Sequence, residues 1–235
     1  MRIEGLPIEG LPIVGLSVII PALNAAASLP ATLAALGDAP AEVLVVDGCS
    51  TDATVQAAGT ARILHAPRGR GGQLAAGIAA AEGPWLLLLH ADTRLAPDWE
   101  IAVRAAMADP GRAHHFRFVL DDPSPQARRL ERAVAWRSRA LGLPYGDQGL
   151  LIHKGLLAAV GGMKALPLME DVDLARRLGR ARLAAMPAAA ITSAVRWQRD
   201  GWWRRSARNL TCLGLFYLGV PPGIIARIYT GRRQG

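Results

Sequence analysis

The chain has little cysteine, little lysine and few aromatic residues, and it lacks a long uninterrupted apolar run. Each shortage excludes something. Cys49 and Cys212 are far apart and have no CxxC neighbour, so neither a zinc site nor a disulfide framework is indicated, and a reducing cytoplasm fits. The apolar stretch 210–220 is broken by Gly214 and Gly219 and stopped by Pro221-Pro222, well short of the roughly 20 residues that a spanning helix needs. At the start, Glu4 and Pro7 stand where a secretory signal would need a continuous apolar core. Ile-Glu-Gly-Leu-Pro occurs at 3 and again at 8, a short duplication read as a flexible leader over 1–15. Lys154 and Lys164 are the only lysines; the resulting arginine bias is read as compositional and carries no chemistry of its own.

What is present suits a globular protein of one large domain or two small ones: 235 residues, 51% hydrophobic and 20% charged. The formal net charge is +8, and eight arginines against Asp200 place +7 of it between residues 193 and 235. The remainder is nearly neutral, which argues against wrapping nucleic acid, and no stacking platform or known nucleic-acid module accompanies the charge. Arg196-Trp197-Gln198-Arg199 and Gly201-Trp202-Trp203-Arg204-Arg205 suit an interfacial helix on anionic lipid, an arginine clamp on a diphosphate leaving group, or a packed helix that merely exposes its arginines.

From Leu16 to Met107, short apolar runs alternate with Ala-rich stretches, as in parallel βαβ units. Strands are expected at 16–20, 43–46, 61–64 and 85–89, with helices near 26–36, 53–58, 72–81 and 97–107. After Pro110-Gly111 the rhythm changes to a strand near 115–120, a long helix near 125–141, a strand near 149–153 and a helix from about Glu170. The predicted organisation is a leader (1–15), a nucleotide-binding half (16–110), an acceptor half (111–192) and a basic helical tail (193–235).

Four leucines after Gly83-Pro84 and Trp85 read as a doubly buried strand, which puts His90 and Asp92 at its carboxyl end, where open α/β sheets bind ligands. Asp92 either caps a turn there or grips a cation on a diphosphate. Pro21-Ala22-Leu23-Asn24 and Asp47-Gly48-Cys49-Ser50-Thr51-Asp52 end two further strands at the same edge. Asp47 is suited to accept from a base N–H, whereas Asp52 reads as a helix cap. Arg68-Gly69-Arg70-Gly71-Gly72-Gln73 is a Gly-rich cationic turn opening a helix, which favours a phosphate or simply makes a turn. Glu170-Asp171 opens another helix, where the dipole keeps a carboxylate ionised; it is either a surface cap or a base able to deprotonate a hydroxyl. Tyr145-Gly146-Asp147-Gln148-Gly149 is a polar loop that is an acceptor contact or an ordinary turn.

In this order, Leu16–Asn24, Val45–Asp52, Leu89–Thr93 and Met169–Asp171 resemble the family 2 glycosyltransferases of GT-A fold, from about Leu16 to Leu178. Gly71-Gly72-Gln73-Leu74 also resembles a bacterial subgroup described as rSAM/selenodomain-associated or arsenosugar-biosynthesis glycosyltransferases. The resemblance implies an α/β fold with a Rossmann-like, mixed and mostly parallel sheet flanked by helices. It implies a cytoplasmic hexosyltransferase-type enzyme, with the inner membrane face as a further expected location through its tail, that transfers a sugar from a UDP- or GDP-linked donor to an unidentified hydroxyl acceptor with inversion. Pro21, Ala22, Asn24, Asp47, Arg70, Gly71, Gln73, Ala91 and Asp92 are then expected on the nucleotide-sugar, and Gln148 and Gly149 on the acceptor. Asp171 is expected as base with Glu170 assisting, and Asp92 and His90 as ligands of Mn2+ or Mg2+. Two residues depart from the family pattern: His90 replaces its first Asp, and Ala25 stands where many relatives carry Glu. They raise the alternative of a catalytically silent nucleotide-sugar-binding protein. A nucleotidyltransferase would need a Gly-rich basic loop directly after the first strand, which Pro21–Asn24 does not supply.

Overall fold

A computed structural model of the chain describes residues 12–230. Its frame is one eight-stranded sheet in the order β3-β2-β1-β4-β7-β6-β8-β5. The strands are β1 (Ile13–Ala22), β2 (Pro40–Asp47), β3 (Arg62–His65), β4 (Trp85–Leu88), β5 (Thr93–Leu95), β6 (Ala113–Leu120), β7 (Leu150–His153) and β8 (Leu183–Thr192). β3, β2, β1 and β4 run parallel, β7 is antiparallel to β4 and β6, and β8 is parallel to β6 and antiparallel to β5. The expected mixed, mostly parallel sheet is therefore the one observed. Ile13–Gly15, read as leader, open β1, while residues 1–11 lie outside the described residues.

The helices are α1 (Leu29–Leu36), α2 (Thr54–Ala57), α3 (Arg70–Ala80), α4 (Trp99–Ala106), α5 (Pro125–Leu141), α6 (Lys154–Ala159), α7 (Glu170–Leu178), α8 (Val195–Asp200), α9 (Trp202–Tyr217) and α10 (Pro222–Thr230). Side chains alternate across a strand, so the doubly buried strands feed two cores. Val18, Ile20, Val45 and Leu87 pack with Leu29 and Leu36 of α1 and Trp99 and Val103 of α4. Ile19, Leu44, Val46 and Leu86 pack on the other face with Leu74 of α3, Leu157 of α6 and Leu174 and Leu178 of α7. Every residue of β4 is buried, which accounts for its unbroken leucines.

Three elements escape the sequence reading. β5 is only three residues long, and α6 follows β7 without a break. β8 was not expected because Leu183-Ala184-Ala185-Met186-Pro187-Ala188-Ala189-Ala190 is rich in a helix former and poor in β-branched residues. Its Pro187 sits where the pairing with β6 slips, between Ala185 and Ala189, so the missing N–H interrupts no regular ladder.

Antiparallel pairing of Leu88 with Leu150 places the loop before β7 at the same sheet edge as the carboxyl ends of β1, β2 and β4. That edge is closed in part by α3, which lies tight on the sheet. A Cβ added at Gly77 would stand 2.5 Å from Ile19 Cγ2, whereas one at Gly72 meets nothing within 4 Å. Gly77→Ala is thus expected to destabilise the fold by about 1–3 kcal/mol through overpacking. Gly72→Ala is expected to stabilise by about 0.5–1 kcal/mol through helix propensity. Urea denaturation of both variants checks the pair, and equal effects would remove the packing argument.

Candidate active site

The strand ends are built first by loops that brace one another. Asn24 and Cys49 take positive φ, 49° and 65°, which turns the chain sharply as it leaves β1 and β2. Asn24 N–H donates to Ser50 Oγ at 2.9 Å, Thr51 N–H to Asn24 Oδ1 at 2.9 Å, and Ala25 N–H to Thr54 Oγ1 at 2.7 Å. Asp52 accepts from Ala26 N–H at 3.1 Å and Thr54 N–H at 3.0 Å, which makes it the joint between the two loops. Asp47 is buried and accepts from Ser50 N–H at 3.1 Å, with His65 Nδ1 at 3.6 Å. Gln73 reaches from α3 and donates its Nε2 to Ala22 O at 2.8 Å and Val46 O at 2.7 Å. Gly71 N–H donates to Leu166 O, and a Cβ there would meet that oxygen at 2.5 Å. The donors of Gln73 and Gly71 therefore hold backbone, in place of the phosphate-side contacts expected of them. Pro21 and Ala22 close β1, and Ala22 O also accepts from Gly48 N–H; Ala91 is buried, its carbonyl accepting from Thr32 Oγ1.

Beside these loops lies a cavity of about 140 Å³, walled by Arg70, His90, Asp92, Asp147, Asp171 and Arg196, with Arg205, Asn209 and Tyr229 of the last two helices. Arg70, the first residue of α3, donates Nε to the buried Glu170 carboxylate and lies 2.9 Å through Nη1 from His90 Nε2. Burial opposes the Arg70 charge, but Glu170 and Asp171 outweigh it and raise its pKa. Burial, then Arg70 and Arg196, hold His90 well below its usual range, so the ring is neutral. Glu170 is pushed up by burial, with Arg70 opposing and Asp171 reinforcing the shift. Asp171 Oδ2 accepts from Gly146 N–H at 2.8 Å and Oδ1 from Val172 N–H at 2.8 Å; among the described residues it makes no ion pair. Arg196 Nη2, from α8, lies 3.3 Å from Asp92 Oδ2.

The donor set does not fit the metal site expected at His90 and Asp92. A guanidinium has donors only, so His90 Nε2 must accept from Arg70 and the ring proton must sit on Nδ1. In that arrangement Nδ1 is protonated and Nε2 is engaged, so the ring, expected as a ligand, presents no free lone pair to a cation. Asp92 lies 3.3 Å from the Arg196 guanidinium, and no group of three His, Cys, Asp or Glu side chains suited to a metal gathers among the described residues.

Gln148 and Gly149, expected on the acceptor, are both engaged within the protein. Gln148 is buried, its Oε1 accepting from Ser138 Oγ at 2.9 Å and Arg137 Nη2 at 3.3 Å, its Nε2 donating to Phe116 O at 3.2 Å. Gly149 has φ +60°, and a Cβ there would stand 3.1 Å from Phe116 Cδ2, so it serves packing. The residues of this loop that face the cavity are Tyr145 and Asp147, the latter the loop's only carboxylate and not among the residues expected at the site. Arg205 comes from the Trp/Arg-rich run, whereas Asn209 and Tyr229 carried no motif; all three reach the cavity through the packing of α9 and α10.

Asp147 Oδ1 is buried without a hydrogen-bond partner, and burial pushes its carboxyl up to about 6, with Arg137 opposing and Asp171 reinforcing. A raised folded-state pKa gives stability that is full below the ordinary value of 3.8 and is lost as pH rises through about 6. Asp147→Asn is therefore expected to be more thermostable than the wild type at pH 8, with the advantage shrinking on acidification toward pH 4. Thermal melts across that range check it; an advantage that grew on acidification would reverse the sign.

The family model described as "Glycosyl transferase family 2" matches residues 17–165. No curated protein matches the sequence. Among solved structures, S. aureus TarS 1-349 in complex with UDP aligns at TM-score 0.58 and 20% identity, covering 76% of this chain and 60% of that one. The same TarS fragment with UDP-GlcNAc gives 0.58 and 20%, covering 76% and 58%. Glucosyl-3-phosphoglycerate synthase from Mycobacterium tuberculosis, in complex with Mn2+ and uridine-diphosphate-glucose, gives 0.52 and 19%, covering 78% and 70%. The chain thus spans less than two thirds of those TarS chains, and at these identities the likeness is one of fold. With a family match over residues 17–165 and a sheet of the same GT-A architecture, the chain belongs to glycosyl transferase family 2.

Proposed function

We propose that the protein transfers a glycosyl group from a nucleoside-diphosphate sugar to a hydroxyl acceptor by single displacement, with Asp171 as general base. One observation carries this reading: Asp171, fixed by two backbone N–H groups and free of any ion pair among the described residues, faces a cavity walled by the cations Arg70 and Arg196. A carboxylate so held is oriented yet still has lone pairs for a proton. In the proposed reaction the acceptor oxygen attacks the anomeric carbon, its proton passes to Asp171, and the bond to the diphosphate oxygen breaks with its electron pair leaving on the nucleotide. Attack opposite the leaving group inverts the anomeric centre. Glu170, paired with Arg70, positions the helix start that presents Asp171 and does not itself accept the proton.

The relatives solved with UDP, UDP-GlcNAc and UDP-glucose support a uridine-linked donor, and the strand-end loops at Asn24 and Asp47 are where its base is proposed to lie. Asp47 keeps acceptor capacity beyond Ser50 N–H for a base N–H. The Gly71–Leu74 segment supports placement in the rSAM/selenodomain-associated subgroup. The acceptor is proposed to enter between Asp147 and the helices α9 and α10, whose Asn209 Oδ1 is buried without a partner.

Asp171→Asn removes the base while keeping the shape of the side chain. It is expected to lower kcat by about 10²- to 10⁴-fold, with the affinity for UDP unchanged. Sugar-nucleotide turnover and calorimetry check this together, and full turnover by the variant would overturn the assignment. A panel of UDP- and GDP-sugars tests the donor: stabilisation of the protein by none of them would overturn the reading of the pocket.

A further inference from the structure

Two guanidinium groups converge on the turn between β4 and β5, the place where the family pattern would put a metal. Arg70 reaches His90 from α3, and Arg196 reaches Asp92 from the first turn of α8. We infer that Arg70 and Arg196 together supply the counter-charge for the donor's diphosphate, so that glycosyl transfer by this chain proceeds without a divalent cation. The inference rests on the donor reading above and goes further by naming what meets the phosphates.

The first support is what each residue has left to offer. His90 Nε2 is engaged by an Arg70 N–H, so a divalent ion placed there would find no free imidazole nitrogen and would face the positive charges of Arg70 and Arg196. Asp147 leaves Oδ1 unpartnered, yet it and Asp92 are not joined by a third ligating side chain among the described residues. The second support is what a diphosphate needs. A guanidinium presents several N–H groups in a planar fork that matches phosphate oxygens, and two of them carry the charge of one divalent ion. Arg70 is held in place by Glu170. Arg196 is less constrained by contacts: its side chain is 61% exposed and its contact with Asp92 is a single Nη2–Oδ2 approach. An ion pair that exposed is weak in water, so a phosphate oxygen can take the guanidinium over. Asp92 then acts as a positioning residue that keeps Arg196 at the cavity mouth until the donor arrives. As the bond from the anomeric carbon to the diphosphate oxygen breaks, the electron pair stays on that oxygen, and the two arginines stabilise the charge that accumulates there.

The test is calorimetry of the full chain with UDP and, separately, GDP, in EDTA and in Mn2+. Wild-type affinity for the nucleotide that binds is expected to agree within about threefold between the two buffers, and Arg196→Ala to bind about tenfold or more weakly in EDTA. Arg196 is exposed, so its removal leaves the core untouched; Arg70→Lys is the second variant, keeping the charge, losing the fork, and expected to weaken binding as well. A wild-type loss of about tenfold or more in EDTA that Mn2+ restores overturns the arginine clamp and leaves the donor reading standing. Unchanged binding by Arg196→Ala also overturns the clamp. No binding of UDP or GDP in either buffer overturns the donor reading and the clamp with it.

Discussion

The site depends on the ion pair between Arg70 and Glu170. Each residue opens a helix, α3 and α7, and the helix dipole favours only one of them: a carboxylate suits a helix N-terminus and a guanidinium does not. Arg70 is tolerated there because Glu170, with 1% of its surface exposed, lies against it. Removing one partner of such a pair strands the other, at about 3–5 kcal/mol. The pair therefore joins the half of the chain that carries α3 to the half that carries α7. It also places the next residue, Asp171, at the cavity, and it turns the Arg70 Nη1 toward His90, which sets that ring's tautomer.

Much of this was legible in the sequence because strand ends are written in composition. Apolar runs that stop at Asn24, Asp47 and His90-Ala91-Asp92 put polar residues at one sheet edge, and the structure finds them there. What was not legible follows from physical likeness between different jobs. β8 is made of alanines, whose propensity points to helix, and only pairing with β6 on one side and β5 on the other makes it a strand. The cavity wall from residues 196–229 includes Arg196 and Arg205 of the Trp/Arg-rich run, for which an arginine clamp was one of three open readings, whereas Asn209 and Tyr229 reach it only through the packing of α9 and α10.

Gln73 and Gln148 show the same limit at the level of single side chains. Both stand in polar, Gly-flanked segments and were expected on ligands; both instead tie backbone together, Gln73 across β1 and β2, Gln148 between Phe116 and the end of α5. A buried amide that braces and an exposed amide that binds have the same sequence signature. They differ only in how many of their donors and acceptors the protein has already satisfied. Counting those leaves Asp171 and Asp147 with capacity to spare, and finds Gln148 and His90 already engaged by neighbouring protein groups.

The same accounting changes the meaning of the basic tail. Asp200 receives Arg199, Arg205 and Arg208 at 2.9–3.0 Å, and those hydrogen bonds, from Arg199 and Arg208 above all, pull its carboxyl far down. Arg205 also lies over the Trp197 ring at 5.2 Å, and Arg208 over Tyr229 at 5.0 Å. Arg205 and Arg208 thereby knit α8, α9 and α10 to one another, so part of the tail's charge is structural. No described helix is long and apolar enough to cross a membrane. Arg196 stands outside the Asp200 cluster and points the other way, to Asp92. Knitting the last helices into a wall is what brings that one cation to the sheet edge, so the segment that looked appended completes the site.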